Sequence, residues 1–207
     1  MDDRNSREAL YKTGLHLEYF TVAYNVIEAS VSLLLGGIAS SIALIGFGLD
    51  SIMESISGFV LIWRLRQHSQ VSEEKEEKIE RRAVRFVGVT FLILGAYVLF
   101  QSAKKLDTED SPAPSVPGIV LAFVSLTVMP LLALKKYRVG REIQSRALIA
   151  DSKETLACFF LSLALLLGLG LNYLLGFWQA DPLAGMVIAL FLFGEGWEGV
   201  KQSYEDE

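Results

Sequence analysis

Residues 40–63 read SSIALIGFGLDSIMESISGFVLIW, an apolar run long enough to cross a bilayer that carries Asp50 and Glu54 near its middle. A charge at the centre of a membrane helix costs about 2.5–3.5 kcal/mol on insertion scales. Two together are tolerable only if something neutralises them. Their i, i+4 spacing sets both carboxylates on one helical face, close enough to share one cation. Asp50 lies roughly 15 Å along the helix, near the midplane, at 1.5 Å per residue.

The rest of the chain fits a membrane setting. Of its 207 residues 52% are hydrophobic, and the mean hydropathy is +0.39. The 21% that are charged gather in clusters separated by apolar stretches of membrane-spanning length. Six spans follow: Leu15–Leu35, Ser40–Arg64, Ala83–Ser102, Pro117–Leu134, Ser145–Leu175 and Asp181–Gly199. GGIAS (36–40) and GFWQA (176–180) are short enough for tight hairpins. QVSEEKEEKIERRAV (70–84) extends the third helix or links to it, and the Pro-rich LDTEDSPAPSVPG (106–118) reads as an irregular loop.

Apart from Lys104, Lys105 and Lys153, every one of the 19 Lys and Arg residues falls on one side of this arrangement. The positive-inside rule therefore predicts cytoplasmic N and C termini. The expected architecture is all-α and polytopic. A cytoplasmic tail (1–14) leads into a six-helix transport domain (15–200), and a short tail (201–207) follows with no C-terminal regulatory domain. A net charge of −5 offers no basic surface to nucleic acid. One cysteine excludes a disulfide framework or a Cys-rich zinc fold.

Span five repeats the acidic pattern. In ALIADSKETLACFF (147–160), Asp151 and Glu154 stand at i, i+3, with Cys158 at i+7 from Asp151 on the same side. Spans two and five enter from opposite sides, so both acidic pairs are expected to meet at similar depth. Four carboxylates facing one another in a low dielectric cannot all stay charged, and protons or a divalent cation must join them. Lys153, the one basic residue placed well inside a span rather than at its end, is rotated about 200° from Asp151 and points elsewhere.

On these residues the sequence resembles the cation diffusion facilitators, six-helix transporters that move divalent metals out of the cytoplasm, usually against protons. SIALIGFGLDSIMES is similar to the family's second helix, with Asp50 and Glu54 in the two ligand positions. In IADSKETLA, Glu154 takes the Asp position of the fifth-helix pair, while the His position falls on Ala150 and Asp151 stands one residue later. ADPLAGMVIALFLF (180–193) resembles the family's Asp-Pro-x-Ala-Gly opening of helix six. The resemblance implies a non-enzymatic, plasma-membrane metal/proton antiporter and a homodimer joined through membrane helices. Its substrate ligands would be Asp50, Glu54, Asp151 and Glu154.

Secondary candidates complete the reading. Glu18, Asn25 and Glu28 share a face of span one and are candidates for a proton or cation pathway, with Glu18 interfacial and Glu28 deeper. Cys158 is a soft ligand of lower weight, since a membrane cysteine commonly serves as a small packing residue. His16 and His68 read as solvated, Trp63, Trp178 and Trp197 as interfacial. Glu73, Glu74, Glu76 and Glu77 read as a solvated helix face. No cofactor is expected; the partners are lipid, protons and the transported metal. Zinc leads on family frequency, while an all-oxygen site would also suit manganese, iron or cobalt. The rival readings are a proton-coupled carrier or channel for another substrate, and a non-transporting protein with structural acids.

Overall fold

The computed structural model describes residues 2–67 and 73–205, and among them every regular element is a helix. These are α1 (Asp2–Ala39), α2 (Ile42–Gln67), α3 (Glu73–Thr108), α4 (Val116–Glu142), α5 (Arg146–Leu175) and α6 (Ala180–Glu205). Each contains a stretch long and apolar enough to cross a membrane. The chain is thus an all-α, multi-pass integral membrane protein. The side chains of Glu73, Glu74, Glu76 and Glu77, and His68 altogether, lie outside the described residues.

Several boundaries differ from the sequence reading. Gly36 and Gly37 do not form the first hairpin. They remain helical, and the turn falls on Ser40, with positive φ (52°), and Ser41. Gly36 is needed inside the helix because a Cβ there would stand 2.9 Å from the Ile45 side chain on α2. The Pro-rich loop shrinks to residues 109–115, since α3 runs on to Thr108. Span four runs two turns beyond Leu134, to Glu142, and so carries Lys136 into the bundle. Span five starts as expected, with the Ser145 hydroxyl accepting from the Leu148 N–H at 3.3 Å.

α2 is the central helix: 61% of its apolar window is buried, against 22–39% for the other five. Small residues let its neighbours close in, as packing between membrane helices requires. Along α3, Gly88, Gly95 and Ser102 recur every seven residues and face Gly196, Ala189 and Gly185 of α6. A Cβ on Gly88 would come within 2.9 Å of the Gly196 carbonyl oxygen, so the two backbones are in contact. One apolar cluster joins α2, α3, α5 and α6 around Phe47, Val98, Leu165 and Ile188. A second packs Leu61 and Leu65 of α2 against Val139 and Ile143 of the α4 end and Leu148 of α5. The polar centre of α2 lies between the two.

The start of α2 is fixed from another helix. Ser41 caps it, its hydroxyl accepting from the Leu44 N–H at 3.1 Å. Asp181 of α6, completely buried, accepts from the Ser41 hydroxyl and from the Ile42 N–H at 3.0 Å. A carboxylate at a helix N-terminus also meets the positive end of the helix dipole. The opening of helix six therefore has a structural task, locking α6 to α2. Asp181→Ala leaves buried donors without acceptors, at a cost of about 1–3 kcal/mol. Thermal unfolding in detergent should show a clear loss for Asp181→Ala and a smaller one for Asp181→Asn, which keeps one acceptor.

Candidate metal site

The i, i+4 pair of α2 points inward as its spacing requires: Asp50 is 6% and Glu54 2% exposed. The side chain that meets it from α5 is Cys158. The Cys158 thiol lies 3.2 Å from Asp50 Oδ2 and 3.0 Å from Glu54 Oε2, donating to both. Glu154, one turn back on α5, accepts from the Ser57 hydroxyl of α2 at 3.2 Å. The helices run antiparallel, so Glu54 sits level with Cys158 and Ser57 with Glu154. Two i, i+4 pairs thus face each other, Asp50 with Glu54 and Glu154 with Cys158.

The expected register on α5 is therefore displaced by one turn. Ala150, in the place of a ligand by resemblance, is exposed and cannot reach the bundle centre. Asp151 is buried within electrostatic reach of Glu54 and Glu154, but its ion pair lies on α4. Its Oδ2 is 2.5 Å from the Lys136 ammonium of α4. Lys136 is completely buried and also lies 3.2 Å from Glu18 Oε1 of α1 and 3.2 Å from the Thr155 hydroxyl. Glu18 is likewise completely buried, an ion-pair partner inside the bundle rather than an interfacial residue. The four acids of α2 and α5 come within electrostatic reach of one another, as expected, but Asp151 is the one among them that is ion-paired to a lysine. Asp151 and Glu18 share the Lys136 ammonium, which also lies within electrostatic reach of Glu54, while Asp50, Glu54 and Glu154 make no ion pair among the described residues.

Sequence reasoning placed Lys136 in a loop because KKYR ends the apolar run. The signal that locates it is periodicity. Gly118, Ala122, Ser125, Met129, Leu132, Ala133, Lys136, Val139 and Gly140 are all buried, a helical stripe that passes through Lys136 without a break. Glu195 of α6, half-buried, is a second omission: it lies within electrostatic reach of Asp50, Glu54 and Glu154. Its position among the charges of the C-terminal cluster concealed it.

Of the span-one candidates, Asn25 is completely buried and Glu28 2% exposed, on the α1 face that meets α2. Ser51 of α2 donates to Glu28 Oε2 at 3.0 Å. Lys153 and His16 are exposed, as expected. Among the described residues, no three His, Cys, Asp or Glu side chains stand close enough to hold a metal ion in this arrangement.

The sequence model of the cation efflux transmembrane domain matches residues 19–206. The chain belongs to this family of cation transporters. Among curated proteins it is similar to Protein p34 of Rickettsia rickettsii, at 23% identity over 99% of this chain and 67% of the relative. It is also similar to Transmembrane protein 163 of Xenopus laevis, at 24% identity over 89% of this chain and 65% of that one. An uncharacterized transporter of Methanocaldococcus jannaschii is 24% identical over 83% of this chain and 62% of its own length. The chain spans about two thirds of the length of these relatives. The resemblance read from Asp50, Glu54 and the helix-six opening thus agrees with the family match.

Removing the Lys136 ammonium strands two buried carboxylates, a change that costs about 3–5 kcal/mol when one partner of a buried pair is lost. Lys136→Met should therefore unfold at much lower temperature than wild type. The triple variant Glu18→Gln, Lys136→Met, Asp151→Asn should recover most of that loss, measured by thermal unfolding of each in detergent.

Proposed function

We propose that this chain exports a divalent transition metal in exchange for protons, through a site formed by Asp50 and Glu54 of α2 with Glu154 and Cys158 of α5. The observation that carries the reading is the pair of i, i+4 donor sets facing each other at the centre of a cation efflux bundle, with no lysine or arginine ion-paired to them among the described residues. The ligand set differs from the one read from the sequence. Asp151 is engaged by Lys136, and Cys158 moves from secondary candidate to ligand.

The chemistry follows from the donors. A thiol binds metal as thiolate, and carboxylates bind deprotonated, so loading the substrate releases protons and proton return expels it. In the present arrangement the thiol proton bridges Asp50 and Glu54 while Ser57 holds Glu154. Binding would replace the thiol proton and draw Glu154 from Ser57. Apolar clusters seal the site toward both ends of the bundle. Alternate opening of one seal and then the other would give access from each side in turn. With cytoplasmic termini, as the Lys and Arg distribution predicts, α5 enters from the cytoplasm and the exchange is outward. The family resemblance extends the reading to a homodimer joined through the membrane helices.

One sulfur among oxygens favours borderline metals such as zinc, cobalt or ferrous iron over manganese. In vesicles containing a metal-sensitive dye, wild type should transport zinc, and collapsing the pH gradient should stop it. Asp50→Ala should abolish both flux and calorimetric zinc binding, whereas Cys158→Ser should shift preference from zinc toward manganese. Intact flux in Asp50→Asn and Glu154→Gln, with lowered stability, would instead assign these acids to structure. Flux unaffected by the pH gradient would indicate a channel.

A further inference from the structure

A second cluster of buried polar side chains lies beside the α2 acids, where α1, α2 and α4 meet. Glu28 is at its centre, with one carboxylate oxygen accepting from Ser51 at 3.0 Å. The other, Oε1, has no hydrogen-bond partner. The Tyr24 and Ser125 hydroxyls lie against Glu28 and against each other, yet neither buried oxygen makes a hydrogen bond of good geometry. Asn25, completely buried, has neither amide atom satisfied. The register of the α1–α2 hairpin sets Asn25 between the Val22–Gly58 approach and the Glu28–Ser51 contact, at the level of Glu54. Tyr24 also packs on the Met129, Leu132 and Cys158 cluster, so these polar residues adjoin the metal site.

Orphaned buried polar atoms are rare, because each costs about 1–3 kcal/mol. A group of them together marks a place where something is held. Its charge identifies what. Glu28 makes no ion pair with any Lys or Arg among the described residues. A water molecule would satisfy hydrogen bonds but leave the carboxylate charge unanswered in the bilayer. All five residues offer oxygen, with no sulfur or imidazole, which is the donor set of a hard cation. Glu54 stands within electrostatic reach but belongs to the neighbouring site, so the one carboxylate in this cluster balances one positive charge and a divalent ion would remain half compensated.

We propose that Tyr24, Asn25, Glu28, Ser51 and Ser125 form a binding site for a small monovalent cation with the hard chemistry of sodium, separate from the divalent site. Only the ion's role in driving transport rests on the exchange reading above; its binding does not. Adjacency through Tyr24 and Asn25 couples the two sites, since movement of α1 against α2 changes both.

The test uses the whole protein, purified in detergent, with sodium chloride replacing choline chloride at constant ionic strength. Binding to the folded state raises the melting temperature in a saturable way. Wild type and Asp50→Ala should both show this rise, which keeps the result independent of the metal site. Glu28→Gln should abolish it, and Ser125→Ala should weaken apparent affinity by about tenfold, the loss expected for one contact of hydrogen-bond strength. If Glu28→Gln does not fold, Ser125→Ala and Tyr24→Phe, with sodium line broadening by magnetic resonance in wild type, decide the matter. No sodium response in wild type, or an equal response in Glu28→Gln, overturns the proposal. Stabilisation by acid alone, dependent on Glu28 but indifferent to sodium, overturns it too, because Glu28 then merely carries a proton.

Discussion

The structure turns on how charge is balanced where there is no water. Lys136 carries its ammonium into the bundle and holds Glu18 of α1 and Asp151 of α5 at once. That one cation ties three helices together near the Lys- and Arg-rich end. It also divides the buried acids into two classes. Those at Lys136 share one ammonium, which answers one of their two charges. Asp50, Glu54 and Glu154 make no ion pair among the described residues, although Lys136 lies within electrostatic reach of Glu54. An unanswered charge in a bilayer is expensive, which is why the acids outside the ion pairs are the candidates for binding a cation or protons.

The backbone geometry serves the same end. The small residues at the α3–α6 seam bring those helices into backbone contact, and Asp181 fastens α6 to the first turn of α2. α2 is thereby held at the centre, where Asp50 and Glu54 can be reached only from other helices. α5 meets them with Cys158, and its Ser145 cap sets where that helix begins. Apolar clusters above and below leave the polar layer enclosed.

The helix count, the spans and the inward face of α2 were legible in the sequence. Hydrophobic length and i, i+4 spacing are local properties, and a membrane enforces them strongly. The ends of the spans were less legible, because a helix in a bundle continues past the apolar run when a neighbour receives its polar side chains. Lys136 shows this. It looked like the first residue of a loop, yet the stripe from Gly118 to Gly140 carries it inside. The ion pair of Asp151 was missed for the same reason, since Lys136 had been placed in water.

The sequence by itself determined that this chain is a six-helix membrane protein with costly acids near mid-bilayer, and the motifs carrying those acids pointed to cation efflux. Only the tertiary structure decided which acids are available. The relative sliding of two helices is not encoded in either one alone, so the facing of Cys158 and Glu54, one turn from the expected pairing, had to come from packing. The same holds for Glu28: its burial was foreseeable from the α1 face, but its surrounding oxygens come from α2 and α4, residues far apart in the chain that only the fold brings together.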